Sequence, residues 1–210
     1  MGFNIINILG ELSKHRFIFH SEADFQHALA WEIHKIHPQA IIRLEVPSGR
    51  QDKRERIDIL VTLEYRIYAI ELKYKKTKIQ ISHNNEIFDL KADSAQDISR
   101  YDYIKDIVRL ERYVSSHPNS IGYAVMLTND DLYWKESKSG VNSEEFFLNQ
   151  GRELNNGISL NWHVNTADGT KKERNTPHNL KRDYIIHWED YSVISQLPKK
   201  NKFKYLLLEV

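Results

Sequence analysis

Two short apolar runs in this chain each carry an acid. In "RIDILVTLEYRIYAIELKYKK", residues 56–76, Asp58 interrupts the first run and Glu71 the second, and Lys73 follows two residues later. Both runs are rich in Ile, Val and Tyr and read as strands. In the second, Ile67, Ala69, Glu71, Lys73 and Lys75 share one face, while Tyr68, Ile70, Leu72 and Tyr74 share the other. Glu71 and Lys73 then project from the same side, about 6.6 Å apart at ~3.3 Å per residue. A tight hairpin centred on Glu64 and Tyr65 sets position 58 opposite position 71. Cross-strand side chains lie roughly 5 Å apart, and like charges so placed repel. A cation between them relieves that repulsion, and two carboxylates with room for waters suit Mg²⁺, with Mn²⁺ as a substitute. The bland alternative is a pair of solvated strand ends.

The elements that position these residues are legible around them. Ser21 with Asp24 forms an N-cap and capping-box acid, and Phe25, Leu29, Ile33 and Ile36 recur at helical spacing until Pro38 ends the run. At 100° per residue Glu22 points with Leu29 and Ile33, so it lies at the first turn of the buried stripe; an acid there also complements the helix dipole. "AIIRLEV" reads as a strand ahead of the two acid-bearing ones. From about Lys91 to Ser115 the pattern is helical, with Gln96, Arg100, Tyr103, Ile107, Leu110 and Val114 in one arc. Gln96 and Arg100 head that stripe, either near the acids or as a buried hydrogen-bonding pair. "IGYAVMLT" closes an αβββαβ order. Beyond Thr128, "SEEFFLNQGRELNNG" reads as a helix, and "ISLNWHV", "RDYIIHW" and "KFKYLLLEV" read as strands. With no clean boundary, residues 1–210 read as one domain: a core of about 20–128 and a C-terminal α+β extension over 129–210.

Composition bounds the alternatives. With no Cys, thiolate metal sites and disulfides are excluded. The apolar runs "YAVML" and "YLLL" are far too short to span a bilayer, and the opening "MGFNIINILGEL" lacks a basic leader, so a cytoplasmic, membrane-free protein is expected. A net charge of +1 supplies no chain-wide attraction to nucleic acid. Residues 43–80, however, hold ten Lys/Arg against six Asp/Glu. Arg54, Arg56, Lys75 and Lys76 of this local collar are candidate phosphate contacts. His27 and His34 lie about 10.5 Å apart along the helix at ~1.5 Å per residue, too far for one metal. No phosphate-binding Gly-rich loop or nucleophile elbow is present.

Glu22, Asp58 and Glu71-Leu72-Lys73, followed by a helix bearing Gln96 and a further strand, resemble the PD-(D/E)XK nuclease superfamily over residues 20–128. The resemblance implies a three-layer αβα sandwich with a central mixed β-sheet. It implies that Asp58 and Glu71 bind Mg²⁺, with Glu22 supporting the metal or its waters and the Leu72 carbonyl as a further ligand. Lys73 would position or activate the attacking water: as a cation beside the phosphate, or as a base if its pKa is depressed. Ile57 stands where the family name puts Pro, and the Gln-x-x-x-Tyr signature of the exonuclease-like branch is not met, since Arg100 follows Gln96 at four residues. The expected activity is Mg²⁺-dependent DNA cleavage by an endonuclease of restriction, defence or recombination type, for which a homodimer suits two-strand cutting. The alternatives are a catalytically inactive nucleic-acid-binding or partner-binding module on the same fold, and a plain structural α/β protein.

Overall fold

In the computed structural model, residues 2–49, 55–83 and 85–210 are described. Helix α1 (Ile5–Ser13) starts at Asn4, whose side chain accepts the N–H of Asn7. It buries Ile5, Ile8, Leu9 and Leu12, an i, i+3, i+4, i+7 pattern that marks a helix outside the order read from the sequence. Helix α2 (Glu22–Ile36) is capped by Ser21, whose hydroxyl accepts the N–H of Asp24. The Asp24 carboxylate turns back to the N–H of His20 and to Arg16, fixing the angle at which the chain enters α2.

Strands β1 (Ile41–Pro47), β2 (Arg56–Leu63) and β3 (Arg66–Lys75) follow. β2 and β3 form an antiparallel hairpin with Ile59 opposite Ile70, turning at Glu64, whose φ is 56°. A second hairpin, β4 (Ile79–His83) with β5 (Glu86–Leu90), precedes helix α3 (Gln96–Ser116), which leads to β6 (Ser120–Thr128). β4–β5 was not anticipated; buried Ile79 on β4, with Phe88 and Leu90 at period two on β5, account for it.

The C-terminal part joins the same sheet. Short pieces come first: β7 (Glu153–Leu154), β8 (Ser159–Leu160), α4 (Asp168–Lys171), β9 (His178–Asn179) and β10 (Tyr184–Ile185). Then β11 (Trp188–Val193) and β12 (Lys202–Glu209) extend a six-stranded mixed sheet of order β1-β2-β3-β6-β12-β11, in which only β3 and β6 run parallel. The chain is thus mixed α/β, with four α-helices among the described residues. The helix expected at 143–157 is a single 3-10 turn, Glu144–Phe146, followed by loop. Arg152 explains the difference: its guanidinium donates to the carbonyls of Glu144, Glu145 and Phe147, which no α-helix could spare.

β3 is the pivot of the packing. Its Tyr68, Ile70, Leu72 and Tyr74 join α1 and α2 in one apolar cluster, while Ala69 joins Ile104, Ile107 and Leu110 of α3 in another. No helix among the described residues is long and apolar enough to cross a membrane.

Candidate active site

β3 outruns β2. Its pairing with β2 ends at Ile70, whereas its pairing with β6 continues to Lys75. Residues 71–75 therefore present one open edge, toward which alternate backbone N–H groups point. Two carboxylates fill it: the N–H of Leu72 donates to Asp58 Oδ2 at 2.6 Å, and the N–H of Tyr74 donates to Glu22 Oε2 at 2.8 Å. Both acids are thereby fastened to the strand that carries Glu71 and Lys73.

A local distortion makes the opening. The β1–β2 ladder is regular from Ile41↔Thr62 to Pro47↔Arg56 except where Glu45 faces Asp58. Glu45 has φ 55°, a left-handed conformation that costs a non-glycine residue on the order of 1 kcal/mol. The freed groups find other partners. Gln26 Nε2 donates to the Asp58 carbonyl at 2.7 Å and to Glu45 Oε1 at 2.8 Å, and Arg56 donates to the Glu45 carbonyl. Gln26 lies one turn after Glu22 on α2, so one helix face holds both strands of the fork. Sequence reasoning passed over Gln26; the Glu22-x-x-x-Gln26 spacing on the inward face was the available signal.

Glu71 and Lys73 face α3, where they meet two further residues not singled out from sequence. Arg109 Nη1 lies 2.7 Å from Glu71 Oε1, and Arg109 Nη2 lies 3.0 Å from Asp106 Oδ1. Lys73 Nζ lies 2.5 Å from Asp106 Oδ2. Asp106 sits three residues after Tyr103 and four before Leu110, so an acid within the apolar stripe was its signal.

The charges act on one another. Burial lifts the Asp58 carboxyl to about 6, against the lowering effects of Lys73 and the Leu72 N–H; Asp106 and Glu22 raise it further. Burial also holds Glu71 well above the ordinary range, with Asp106 adding to it and Arg109 opposing. Burial alone would lower Lys73, but Asp106, Glu22 and Asp58 outweigh it and raise its pKa. Lys73 is accordingly a firm ammonium, and the role of base, which needed a depressed pKa, is not supported.

The donor set fits a hard divalent cation. Asp58, Glu71, Glu22 and the Leu72 carbonyl offer only oxygen, and Glu71 Oε2 is buried without a hydrogen-bond partner. Among the described residues no three His, Cys, Asp or Glu side chains already stand in a metal-holding group. An all-oxygen donor set is the kind that hard divalent cations take.

A cleft of about 470 Å³ opens at Asp58, with Arg56, Lys105, Arg109, and Arg174 of the C-terminal part on its walls beside the acids Glu45, Glu55, Asp102 and Glu173. Arg174 pairs with Asp102 of α3 at 2.9 Å. Of the expected phosphate contacts, Arg56 lines this cleft, Lys76 pairs with Asp93 at 2.9 Å, Lys75 is half-buried on β3, and Arg54 lies outside the described residues. Gln96 and Arg100 are not brought to the carboxylates. Gln96 donates to Asp130, while buried Arg100 donates to the Leu132 carbonyl and stacks on Tyr133 and Phe147, so both hold the loop after β6. No protein-family model, curated protein or solved structure matches this chain.

Proposed function

We propose that this chain is a Mg²⁺-dependent nuclease that hydrolyses DNA phosphodiester bonds, an endonuclease of restriction, defence or recombination type on the three-layer αβα sandwich of the PD-(D/E)XK superfamily. The observation that carries the reading is the open edge of β3, where Asp58 and Glu22 hold the amides of Leu72 and Tyr74 beside Glu71 and Lys73. Asp58 and Glu71 are the metal ligands, with Glu22 and the Leu72 carbonyl in support. When bound, Mg²⁺ supplies an acidified water and neutralises charge developing on the phosphate. Lys73, kept charged by its neighbours, binds a phosphate oxygen or orients the water without taking its proton. Arg56, Lys105 and Arg174 offer phosphate contacts along the cleft. Two copies suit cutting of both strands.

One observation favours the inactive module instead: Glu71 is occupied by Arg109, and Lys73 by Asp106. Incubation with Mg²⁺ or Mn²⁺ and supercoiled, linear duplex, branched and single-stranded DNA separates the readings. Metal-dependent cleavage that Glu71→Ala abolishes supports the nuclease, binding without cutting supports the module, and neither binding nor cutting overturns both.

A further inference from the structure

We propose that Arg109 is a phosphate-binding residue parked on a metal ligand: it holds Glu71 in the metal-free protein, and a divalent cation at Asp58 and Glu71 releases it to a substrate phosphate in the cleft. This rests on the metal-site reading above and adds the residue that exchanges with the metal.

Charge balance is the first argument. Glu22, Asp58, Glu71 and Asp106 are four acidic side chains gathered beside two cations, Lys73 and Arg109, so the group can take further positive charge. Position is the second. Arg109 occupies Glu71 Oε1 at 2.7 Å, leaving Oε2 without a partner, so guanidinium and metal compete for one carboxylate. A divalent ion there repels the guanidinium at close range in a setting with little water to screen it.

The remaining contacts of Arg109 permit its departure. Asp106 keeps Lys73 as its counter-ion at 2.5 Å, so it is not stranded when Arg109 leaves. The contact to the Arg56 carbonyl is a single hydrogen bond at 3.1 Å, and Arg109 Nε has no hydrogen-bond partner. The destination adjoins the starting point, because Arg109 already lines the cleft, whose walls carry Arg56, Lys105 and Arg174 among the acids Glu45, Glu55, Asp58, Asp102 and Glu173; a guanidinium released there adds a cation where a phosphate needs one. A planar guanidinium matches two phosphate oxygens at once. Lys73 is a poorer candidate for the exchange, since its partner Asp106 is not one of the proposed metal ligands.

The test titrates Mn²⁺ alone, by calorimetry, into wild type and into Arg109→Gln, which keeps hydrogen-bonding capacity without charge; Arg109→Met, which is also uncharged, serves if the Gln variant does not fold. The variant is expected to bind Mn²⁺ roughly tenfold more tightly, since no cation has to leave Glu71 first. Binding of a DNA duplex is then compared in Ca²⁺ and in chelator. Wild type gains affinity with Ca²⁺, and Arg109→Gln loses that gain. Equal or weaker Mn²⁺ binding by the variant overturns the exchange, and tighter Mn²⁺ binding with the Ca²⁺ gain intact overturns the phosphate role. Wild type that binds no Mn²⁺ overturns the metal site itself, and the exchange with it.

Discussion

Asp58 and Leu72 are joined across two strands by a side chain and a backbone amide: Asp58 Oδ2 accepts the Leu72 N–H at 2.6 Å, in the place where a β2 carbonyl would otherwise pair. Asp58 therefore terminates the ladder and, in the reading proposed above, offers its other oxygen to a metal ion.

These two duties separate by mutation. Asp58→Asn keeps an acceptor for the Leu72 N–H and is expected to fold with a melting temperature near wild type, yet to show no Mn²⁺-induced rise in that temperature and no cleavage above background. Asp58→Ala removes the acceptor as well and should melt below Asp58→Asn, by an amount equivalent to about 1–3 kcal/mol for an amide left unpaired. Thermal melts with and without Mn²⁺ check both. A full metal shift in Asp58→Asn would remove Asp58 from the metal site.

Gln26 is expected to act through Asp58. In Gln26→Ala the Asp58 carbonyl and the Glu45 carboxylate lose their shared donor, and the left-handed turn at Glu45 loses a restraint. Single-turnover cleavage should fall about 10–100-fold, the scale of a small misplacement of reacting groups, with Mn²⁺ binding weakened but present. Cleavage at the wild-type rate would show that the fork holds without Gln26.

Lys73→Ala is expected to bind Mn²⁺ and to cut at a small fraction of the wild-type rate. Because Asp106, Glu22 and Asp58 raise the Lys73 pKa, no ascending limb of the wild-type pH–rate profile should vanish in this variant, as it would if Lys73 were the base. Matched pH–rate profiles of the two proteins decide the point.

His178 governs an acid limit of stability. Burial against Tyr101 and Phe146 lowers its pKa from 6.5 to about 4. The unfolded chain takes up a proton as pH falls below about 6.5 while the folded chain stays neutral, so stability is lost from there down to about 4, by on the order of 3 kcal/mol in all. His178→Phe should remove this slope. Denaturant melts at pH 7 and pH 4.5 should converge for the variant relative to wild type.

Much of this arrangement could be read from residue spacing, because it depends on local periods. The turn at Glu64 and Tyr65 sets the register as far as Ile59↔Ile70, one pair short of the expected 58 opposite 71, and period two puts Lys73 on the side of Glu71. What was missed depends on paths between elements. Asp106 stands within the apolar stripe but its partners, like those of Arg109, are unknown until α3 is laid across β3, and Gln96 and Arg100 head the same stripe but answer to a loop whose course no periodicity specifies. The reversal at Glu45 has no compositional cue, since a glycine would be the usual sign of such a conformation.

β12 lies between β6 and β11, paired to β6 from Lys204↔Thr128 to Glu209↔Tyr123. During synthesis β6 can dock on β3 long before residues 202–209 leave the ribosome, and through that interval "YAVMLT" presents an unpaired apolar edge. Such an edge accepts whichever strand arrives first, its own or another chain's. Chain order therefore leaves the β6 edge to be covered last, by a strand that lies far downstream of the four site acids.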